Sequence, residues 1–427
     1  MRRFCHIMFF GSLFVGFCGA AGAQQRFPPP DFESGYELPL TTVPPARQQL
    51  YEYLDVAVLL AALLLGSYLS LKNRSRRGIF CLMVFSLVYF GFWRKGCVCP
   101  IGAIQNIALA FFEPAYAIPT TVIIFFLLPL FFTLFFGRTF CAAVCSLGAI
   151  QDVVLVRPLQ LPGWLEHTLG LLGYVYLGGA VLFAATGSAF IICQYDPFVS
   201  FFRMSGSFEI LVLGGSFLVV GLFVGRAYCR FLCPYGVIMR VLSRFSKWRI
   251  TITPKDCIQC RLCEESCPFG AIQKPATAPQ PHDYRAGKIK LITLFVLAPI
   301  IVTVAGRLGM ELAEPFSRMH ERVRLADRIH MEETGRIEGT DDASEAFRAT
   351  GESIAELYSE AGQIADEFVW GSMLFGGFVG LVVAGKLIGL TVRRSRKDYE
   401  ADQGRCLACG RCFAYCPVGR AERKVEH

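Results

Sequence analysis

Residues 257–268 read CIQCRLCEESCP, and residues 406–417 read CLACGRCFAYCP. Each stretch places four cysteines in the order C-x2-C-x2-C-x3-C and follows them with a proline. This order is typical of ferredoxins, because one tight loop can present three thiolates to a cubane 4Fe-4S cluster while the fourth cysteine departs on another element. A zinc ion would need only four of these cysteines and has no use for the trailing proline. The sequence therefore predicts two 4Fe-4S clusters in a small α+β module of the ferredoxin type.

The ligands of each predicted cluster follow from a rule of two-cluster ferredoxins, in which the fourth cysteine of one motif binds the other cluster. The predicted ligand sets are Cys257, Cys260, Cys263 and Cys416 for one cluster, and Cys406, Cys409, Cys412 and Cys267 for the other. The alternative is that each motif holds its own cluster with all four of its cysteines. No residue is predicted to act as a catalytic acid, base or nucleophile.

The composition of the chain is that of a membrane protein. Hydrophobic residues make up 54% of its 427 residues, and charged residues only 18%. Long apolar runs recur, each near the ~20 residues that a helix needs to cross a bilayer. We place seven of them at about 52–71, 78–94, 116–136, 168–190, 207–226, 288–306 and 368–390. The predicted fold is an all-α polytopic membrane protein of about seven spans that carries the ferredoxin-type module.

The N-terminus has the features of a secretory signal peptide. Arg2 and Arg3 precede an apolar stretch, and the residues at 21–23 read AGA, which matches a cleavage site. We predict a signal peptide at 1–23 and a periplasmic extended tail at 24–50, which is rich in proline and polar residues. An uncleaved first span is the alternative, and it places the tail on the same side of the membrane.

Basic loops give the predicted spans an orientation. Lysines and arginines cluster after the first, fifth and seventh runs, at 72–77, 226–249 and 393–397. Because basic loops stay in the cytoplasm, all three clusters favour a multi-pass protein of the cell inner membrane that starts outside and ends inside. The predicted domains are a membrane domain at 51–250, a first ferredoxin segment at 251–285, a span at 286–306, a periplasmic helical hairpin at 307–367, a span at 368–392 and a second ferredoxin segment at 393–427.

The predicted hairpin is acidic and has helical periodicity. Residues 307–367 contain seven arginines and fifteen acidic residues, a balance of −8. Apolar residues recur in them at steps of three and four. The two stripes are Leu308, Leu312, Phe316, Met319 and Val323, and then Phe347, Ile354, Leu357, Ala361, Ile364 and Phe368, with a turn at Gly335, Gly339 and Thr340. The hairpin is either a solvated structural element or an acidic docking surface for a periplasmic redox partner.

Three shorter cysteine motifs form an internal repeat. Residues 137–150 read GRTFCAAVCSLGAI, residues 225–238 read GRAYCRFLCPYGVI, and residues 97–104 read CVCPIGAI. In the first two motifs the C-x3-C spacing would put both sulfurs on one face of a helical turn at the inner end of a span. The candidate additional redox or metal-binding residues are Cys97, Cys99, Cys141, Cys145, Cys229, Cys233 and Cys193.

The role of these additional cysteines stays open at the level of sequence. On the predicted topology Cys97 and Cys99 lie on the outer side, where they could form a separate site with Cys193. Buried structural thiols, a further metal centre and redox-active dithiols all fit the pattern. Cysteine is often buried, so burial alone would not distinguish among these interpretations.

The sequence disfavours several other functions. None of the six histidines lies in the middle of a predicted span, so a transmembrane b-type haem is not expected. The chain contains neither C-x-x-C-H for covalent haem nor G-x-G-x-x-G for a nicotinamide cofactor. The net charge is +8, but the basic residues lie in short loops beside apolar runs, so nucleic-acid binding is not predicted.

The paired motifs at span ends, together with the two ferredoxin motifs, resemble the NosR/NapH-type membrane polyferredoxins. Residues 192–198, which read ICQYDPF, are similar to that family as well. The resemblance covers residues 78–275 and 400–420 and implies an electron-transfer component of the quinol dehydrogenase kind with cytoplasmic clusters. No flavin-binding domain precedes the first span, as it does in the larger members, so a flavin is expected only on a partner.

We therefore expect a membrane-bound iron–sulfur protein that passes electrons between the quinol pool or cytoplasmic donors and a periplasmic redox partner, either a flavoprotein or a reductase. Its expected partners are the lipid bilayer, that periplasmic protein and a quinone, although no convincing quinone site is found. As an enzyme it would be an electron-transfer subunit of an oxidoreductase. The alternative is a metal-handling or cofactor-assembly factor, for example in copper reduction, that uses the C-x3-C motifs.

Overall fold

The structure is a computed structural model that describes residues 48–96, 99–252, 257–276, 281–392 and 395–418, with only the backbone at 281–284 and 286. The predicted signal peptide, nearly all of the predicted tail and Cys97 lie outside the described residues.

Helices account for most of the described chain. Up to residue 245 they are α1 Gln49–Leu71, α2 Arg76–Ser86, a π-helix Leu87–Trp93, α3 Ala103–Phe112, α4 Thr120–Phe136, α5 Thr139–Ala143, α6 Ser146–Val153, α7 Gly163–Ala185, α8 Ile191–Gln194, α9 Val199–Arg203, α10 Phe208–Gly221, α11 Ala227–Phe231, α12 Pro234–Leu242 and a 3-10 helix Ser243–Phe245. The remaining elements are α13 Leu262–Glu265, β1 Ile272–Gln273, α14 Pro281–Glu311, α15 Ala313–Ser317, α16 Glu321–Glu333, α17 Asp342–Thr350, α18 Ile354–Thr391, β2 Glu400–Ala401 and α19 Arg411–Tyr415.

Among the described residues, five helical stretches are long and apolar enough to cross a membrane. They are Gln49–Leu71, Arg76–Trp93, Gly163–Ala185, Gly287–Glu311 and Ile354–Thr391. Large apolar side chains such as Leu64, Phe295 and Leu374 are exposed on them, as expected where lipid takes the place of water. Helices satisfy their own backbone hydrogen bonds, which is what a segment in hydrocarbon requires. The chain is therefore a membrane protein, and these stretches coincide with five of the seven predicted runs.

The other two predicted runs form shorter helices. The helix α4 has 17 residues and α10 has 14 residues, fewer than the ~20 that a full crossing needs. Gly137 follows α4 with a φ of 71°, and Arg226 precedes α11 with a φ of 51°. These left-handed residues end the apolar runs and turn the chain into the short helices that carry the paired cysteines.

The paired cysteines do not share a helical turn. Cys141 lies in α5, whereas Cys145 directly precedes α6 with extended backbone at φ −69° and ψ 115°. Cys229 and Cys233 repeat this arrangement at α11 and α12. The prediction that both sulfurs of a C-x3-C motif lie on one helical face is wrong, because the chain leaves the helix between the two cysteines.

The helices α14 and α18 form a long antiparallel pair whose close contact uses small residues. Gly309 faces Ser372 and Gly376, and Ala305 faces Gly376 and Gly380. A Cβ atom at Gly376 would lie 3.0 Å from the Cα atom of Gly309 and would collide with the carbonyl group of Ala305. Small residues at steps of four let helices approach closely where no water drives their association.

Residues 307–367, the predicted hairpin, are mostly helical and have a small apolar core. Val323, Ala326 and Ile329 of α16 pack with Phe347 of α17 and with α18 residues. The second predicted stripe contributes Phe347, Leu357, Ala361 and Phe368 to buried positions. The first stripe is partly wrong, since Leu308, Leu312 and Met319 are exposed. At the end of α14, glycine and alanine form the contact with α18, so the large residues of this stripe face outward.

Strand pairing joins the two ferredoxin segments across about 140 residues of sequence. The strands β1 and β2 are antiparallel, with Ile272 opposite Ala401 and Gln273 opposite Glu400. The Gln273 side chain also donates a hydrogen bond of 2.6 Å to Asp402. The two cysteine motifs therefore belong to one module, although two candidate spans lie between them.

Candidate iron–sulfur site

One cavity of the module gathers cysteines from both ferredoxin motifs. It is lined by Cys257, Cys260 and Cys263 of the first motif and by Cys416 and Pro417 of the second. These are the four cysteines that the mixed-ligand rule predicts for one cluster. The structure thus brings this predicted set to a common cavity, and their role as ligands stays a prediction.

The other four ferredoxin cysteines form a second group in the same module. Cys412 interacts electrostatically with Cys409, Cys406 and Cys267. Cys267 is buried in an apolar cluster with Phe269, Ala271 and Leu407, against which Cys406 and Cys409 pack. This grouping again mixes the two motifs, because Cys267 comes from the first and the other three come from the second.

Unusual backbone turns shape both cysteine loops in the same way. Gln259 and Arg261 flank Cys260 with φ values of 52° and 64°, and Ala408 and Gly410 flank Cys409 with 58° and 72°. Only glycine adopts this left-handed conformation freely, and other residues pay of order 1 kcal/mol or more for it. Successive turns of this type point backbone N–H groups into a concavity that suits anionic centres, iron–sulfur clusters among them.

The donor set fits a cubane cluster better than a single metal ion. Across the described ranges, no three His, Cys, Asp or Glu side chains stand close enough to hold one metal ion. In a cubane each thiolate binds a different iron, so the sulfurs stand further apart than they would around one ion. All eight ferredoxin cysteines are free of disulfides, so all eight can act as ligands.

Burial favours the protonated form of these thiols until a metal replaces the proton. It raises the pKa of Cys406 to about 12 and raises the pKa of Cys412 well above its usual range. The thiolate is the form that binds metal, so loading of the site releases protons.

The two paired-cysteine motifs pack against each other reciprocally. Gly148 of the first motif lies against Arg226 of the second, where an added Cβ atom would come within 2.9 Å of the guanidinium. Gly236 of the second motif lies against Arg138 of the first, at 3.4 Å. Each copy therefore supplies the glycine that the arginine of the other copy packs on.

This reciprocal packing brings four cysteines together. Cys233 is buried, and its thiol interacts electrostatically with Cys229, Cys145 and Cys141. The apolar core that surrounds them is the largest in the described chain, and Cys99 packs against it as well.

Cys99 and Cys193 extend this group toward the hairpin helices. Cys99 and Cys145 line one small cavity. On the other side, a Cβ atom at Gly102 would lie 3.0 Å from the Cys193 sulfur, and Cys193 opens onto a cavity that Arg324 of α16 also lines. Cys99 therefore adjoins Cys145 as well as Cys193, and its place in a separate outer site stays a prediction.

Family comparisons agree with the iron–sulfur chemistry. A family model described as a 4Fe-4S binding domain matches residues 118–162 and 207–253, and a second model with the same description matches residues 250–273. The first covers the two paired-cysteine motifs, and the second covers the first ferredoxin motif.

Similar curated proteins point to electron transport. YccM of Escherichia coli K12, named as an electron transport protein, is 32% identical over 26% of this chain and 34% of its own. NirI of Paracoccus denitrificans is 30% identical over 27% of this chain and 18% of its own. MauN of Methylobacillus flagellatus, a methylamine utilization ferredoxin-type protein, is 27% identical over 28% of this chain and 47% of its own. The chain matches less than half the length of each of these relatives. No solved structure matches it.

The relatives named as electron transport and ferredoxin-type proteins and the two 4Fe-4S family models are consistent with the NosR/NapH type that the sequence resembles. The predicted resemblance to this type and the predicted iron–sulfur, transmembrane and electron-transport character are confirmed. The relatives are matched only in part, so the partners of this chain and the direction of electron flow through it are matters of proposal.

The chain also contains buried charges that sequence reasoning missed. Arg226 is fully buried, donates hydrogen bonds to the Cys141 carbonyl group and pairs with Asp152 at 3.3 Å. Arg138 is buried too, and it donates to the Gly404 carbonyl group at 3.2 Å and faces the Cys141 sulfur at 3.7 Å. The signal was the Gly-Arg pair that opens both repeats, whereas nothing in the sequence marked Asp152.

Proposed function

We propose that this polyferredoxin carries electrons across the cell inner membrane between the quinol pool or a cytoplasmic donor and a periplasmic redox partner. Two 4Fe-4S clusters, held by the mixed ligand sets of the ferredoxin module, would supply the one-electron redox chemistry. The residues of the chain would hold these clusters, exclude water and set their potentials through hydrogen bonds and burial.

A series of adjacent cysteines between the module and the hairpin carries this proposal. At the module, Cys409 and Cys141 pack against the same apolar cluster. Cys145 and Cys99 then line one cavity, and Cys99 interacts electrostatically with Cys193. Cysteines that follow one another in space in this way favour an electron path. Structural thiols with no common role would not be expected to form such a series.

The charge of the hairpin supports a basic partner on the outer side. Its arginines already form ion pairs, such as Arg322 with Glu352 at 3.1 Å and Arg348 with Glu332 at 2.8 Å. The balance of −8 over residues 307–367 therefore leaves unmatched carboxylates at the surface. Complementary charge speeds the encounter of redox proteins, most strongly at low salt. A basic periplasmic redox protein would fit this surface.

Electron passage across a sealed membrane tests the proposal. The protein is reconstituted into liposomes that contain ferricyanide, and dithionite is added outside. We expect the trapped ferricyanide to be reduced at a rate that grows with the amount of protein, because each electron from dithionite would cross through the protein. Cys409→Ser removes a predicted ligand and should abolish this rate, with loss of about half of the ferredoxin-type iron signal.

Cys81 supplies the matched control. It is an exposed cysteine on α2, so Cys81→Ser should leave the rate unchanged. Transfer no faster than in empty liposomes, or a fully active Cys409→Ser variant, would contradict the proposed function.

A further inference from the structure

We infer that Cys141, Cys145, Cys229 and Cys233 together bind a third 4Fe-4S cluster, which the two paired-cysteine repeats share. The inference goes beyond the proposed function, which assigns clusters only to the two ferredoxin sites. It rests on that function in one respect, since the third centre would lie on the same electron path.

The number of cysteines argues for a shared site. A cubane cluster takes four protein thiolates. Each segment that matches the 4Fe-4S family model, 118–162 and 207–253, contains only two cysteines. One segment alone therefore cannot complete a cluster site. The reciprocal packing of Gly148 on Arg226 and of Gly236 on Arg138 brings the two pairs together, so the two half-sites make one complete set.

The surroundings of the four sulfurs suit thiolates. Each sulfur faces an N–H group, and such bonds stabilise the charged form of the ligand and tune the potential of a cluster. The four pairs are Gly148 N with Cys145, Gly236 N with Cys233 at 3.3 Å, Gln151 Nε2 with Cys229 at 3.3 Å and Arg138 Nη2 with Cys141 at 3.7 Å. Equivalent positions in the two repeats provide the two backbone donors, as expected for a site built twice from one motif.

The buried residue Arg138 requires negative charge at this place. Arg138 has no carboxylate partner in the part of the chain that the structure describes, and its Nε atom and that of Arg226 have no hydrogen-bond acceptor. A guanidinium stays charged in a protein, and an unpaired buried charge is strongly destabilising. Neutral thiols would leave this charge uncompensated. Four thiolates around an iron–sulfur core carry net negative charge and would offset it.

The site adjoins the ferredoxin module. Cys141 packs against the apolar cluster of Cys267 and Leu407, and Arg226 interacts electrostatically with both Cys229 and Cys409. An electron that moves between the two sites oxidises one centre by one electron and reduces the other by one, and no bond forms or breaks. The third centre would thus extend the path from the module into the membrane domain.

Native mass spectrometry of anaerobically purified protein counts the clusters directly. We expect wild-type protein to carry three 4Fe-4S mass increments, about twelve irons in all. Cys229→Ser and Cys145→Ser should each lose one increment, about a third of the iron, because each repeat supplies half of the same site. Cys81→Ser should keep all three increments. Electron paramagnetic resonance of the reduced variants should retain the signals of the two ferredoxin clusters, which shows that the module is still folded.

The shared cluster is wrong if wild-type protein carries only two increments, or if the repeat variants lose no iron. Loss of the third cluster in Cys229→Ser but not in Cys145→Ser would also overturn it. Binding of one copper ion to the wild-type repeats in place of iron would favour the metal-handling alternative. Two increments with intact transfer across liposomes would remove the third cluster and leave the proposed function standing, whereas no increments at all would remove both.

Discussion

Asp152 is a single buried carboxylate shared by three arginines. It lies 3.3 Å from Arg226, 3.4 Å from Arg76 and 3.5 Å from Arg411. These arginines belong to the second repeat, to α2 and to the second ferredoxin motif. The side chain of Asp152 is fully buried, and the pairs therefore hold three distant parts of the chain together in a medium of low polarity.

Asp152→Asn should destabilise the protein strongly. The substitution keeps the shape of the side chain but removes the charge that compensates Arg226. Loss of one partner of a buried pair costs about 3–5 kcal/mol, and unfolding by SDS in mixed micelles measures it. Glu314→Gln is the matched control, because Glu314 pairs with Arg318 at 2.8 Å in an exposed position, where the loss should be at most about 1 kcal/mol. Equal stability of wild type and Asp152→Asn would show that this pair is not structural.

Sequence spacing predicted the grouping of the eight ferredoxin cysteines because three ligands of each cluster are close in sequence, and the rule for two-cluster ferredoxins supplies the fourth from the other motif. The partners of the buried charges are not local. Asp152 and Arg226 are 74 residues apart, and Arg138 contacts Gly404 at a separation of 266 residues. Only the folded chain shows such pairs, so the charges beside the paired cysteines were not predicted.

Among the elements, the contact between α14 and α18 depends on the absence of side chains. Gly376 and Gly380 of α18 lie so close to Ala305 of α14 that a Cβ atom added at either glycine would collide with it. In a bilayer the helices gain nothing from hiding apolar surface from each other, so close packing has to supply the association. A large side chain at this contact would separate the helices along much of their length.

Gly376→Leu should therefore weaken the pair, whereas Gly385→Leu should not. A side chain at Gly376 meets the backbone of α14, but nothing lies within 4 Å of a Cβ atom at Gly385 on the same helix. We expect a loss of about 1–3 kcal/mol for Gly376→Leu, as for an overpacked core, measured again by SDS unfolding. Disulfide trapping between cysteines placed on α14 and α18 gives a second readout, which should fall in Gly376→Leu alone. Equal behaviour of the two variants would contradict this account of the contact.

Hydropathy predicted where the apolar elements lie better than where they end. All seven predicted runs are helical, yet α4 and α10 are too short to be full spans. The helix α4 stops at Gly137, whose φ is positive, and α10 stops at Gly221, before the left-handed residue Arg226. Hydropathy carries no information on such turns. The same limit explains the wrong prediction for the C-x3-C motifs, since helical spacing assumes that the helix continues through both cysteines.

At the scale of the whole molecule, basic and acidic residues are concentrated in different segments. Basic residues of the membrane domain contact the ferredoxin module, such as Arg76 and Arg138, which donate hydrogen bonds to the carbonyl groups of Cys409 and Gly404. The hairpin carries the excess of acidic residues. Lysine and arginine in short loops favour the cytoplasmic side, so we predict an orientation with the module inside and the hairpin outside.

Reporter fusions measure that orientation. Gly335 and Gly339 lie in the exposed turn between α16 and α17, where added atoms meet nothing within 4 Å, so an insertion there should leave the fold intact. Alkaline phosphatase inserted after Gly339 should be active, because its disulfides form only in an oxidising compartment such as the periplasm. The same enzyme fused after residue 427 should be inactive, since we predict that the second ferredoxin segment lies in the cytoplasm. The reverse pattern would place the iron–sulfur module outside, and electrons from a cytoplasmic donor could then no longer enter the chain of sulfur sites at the module.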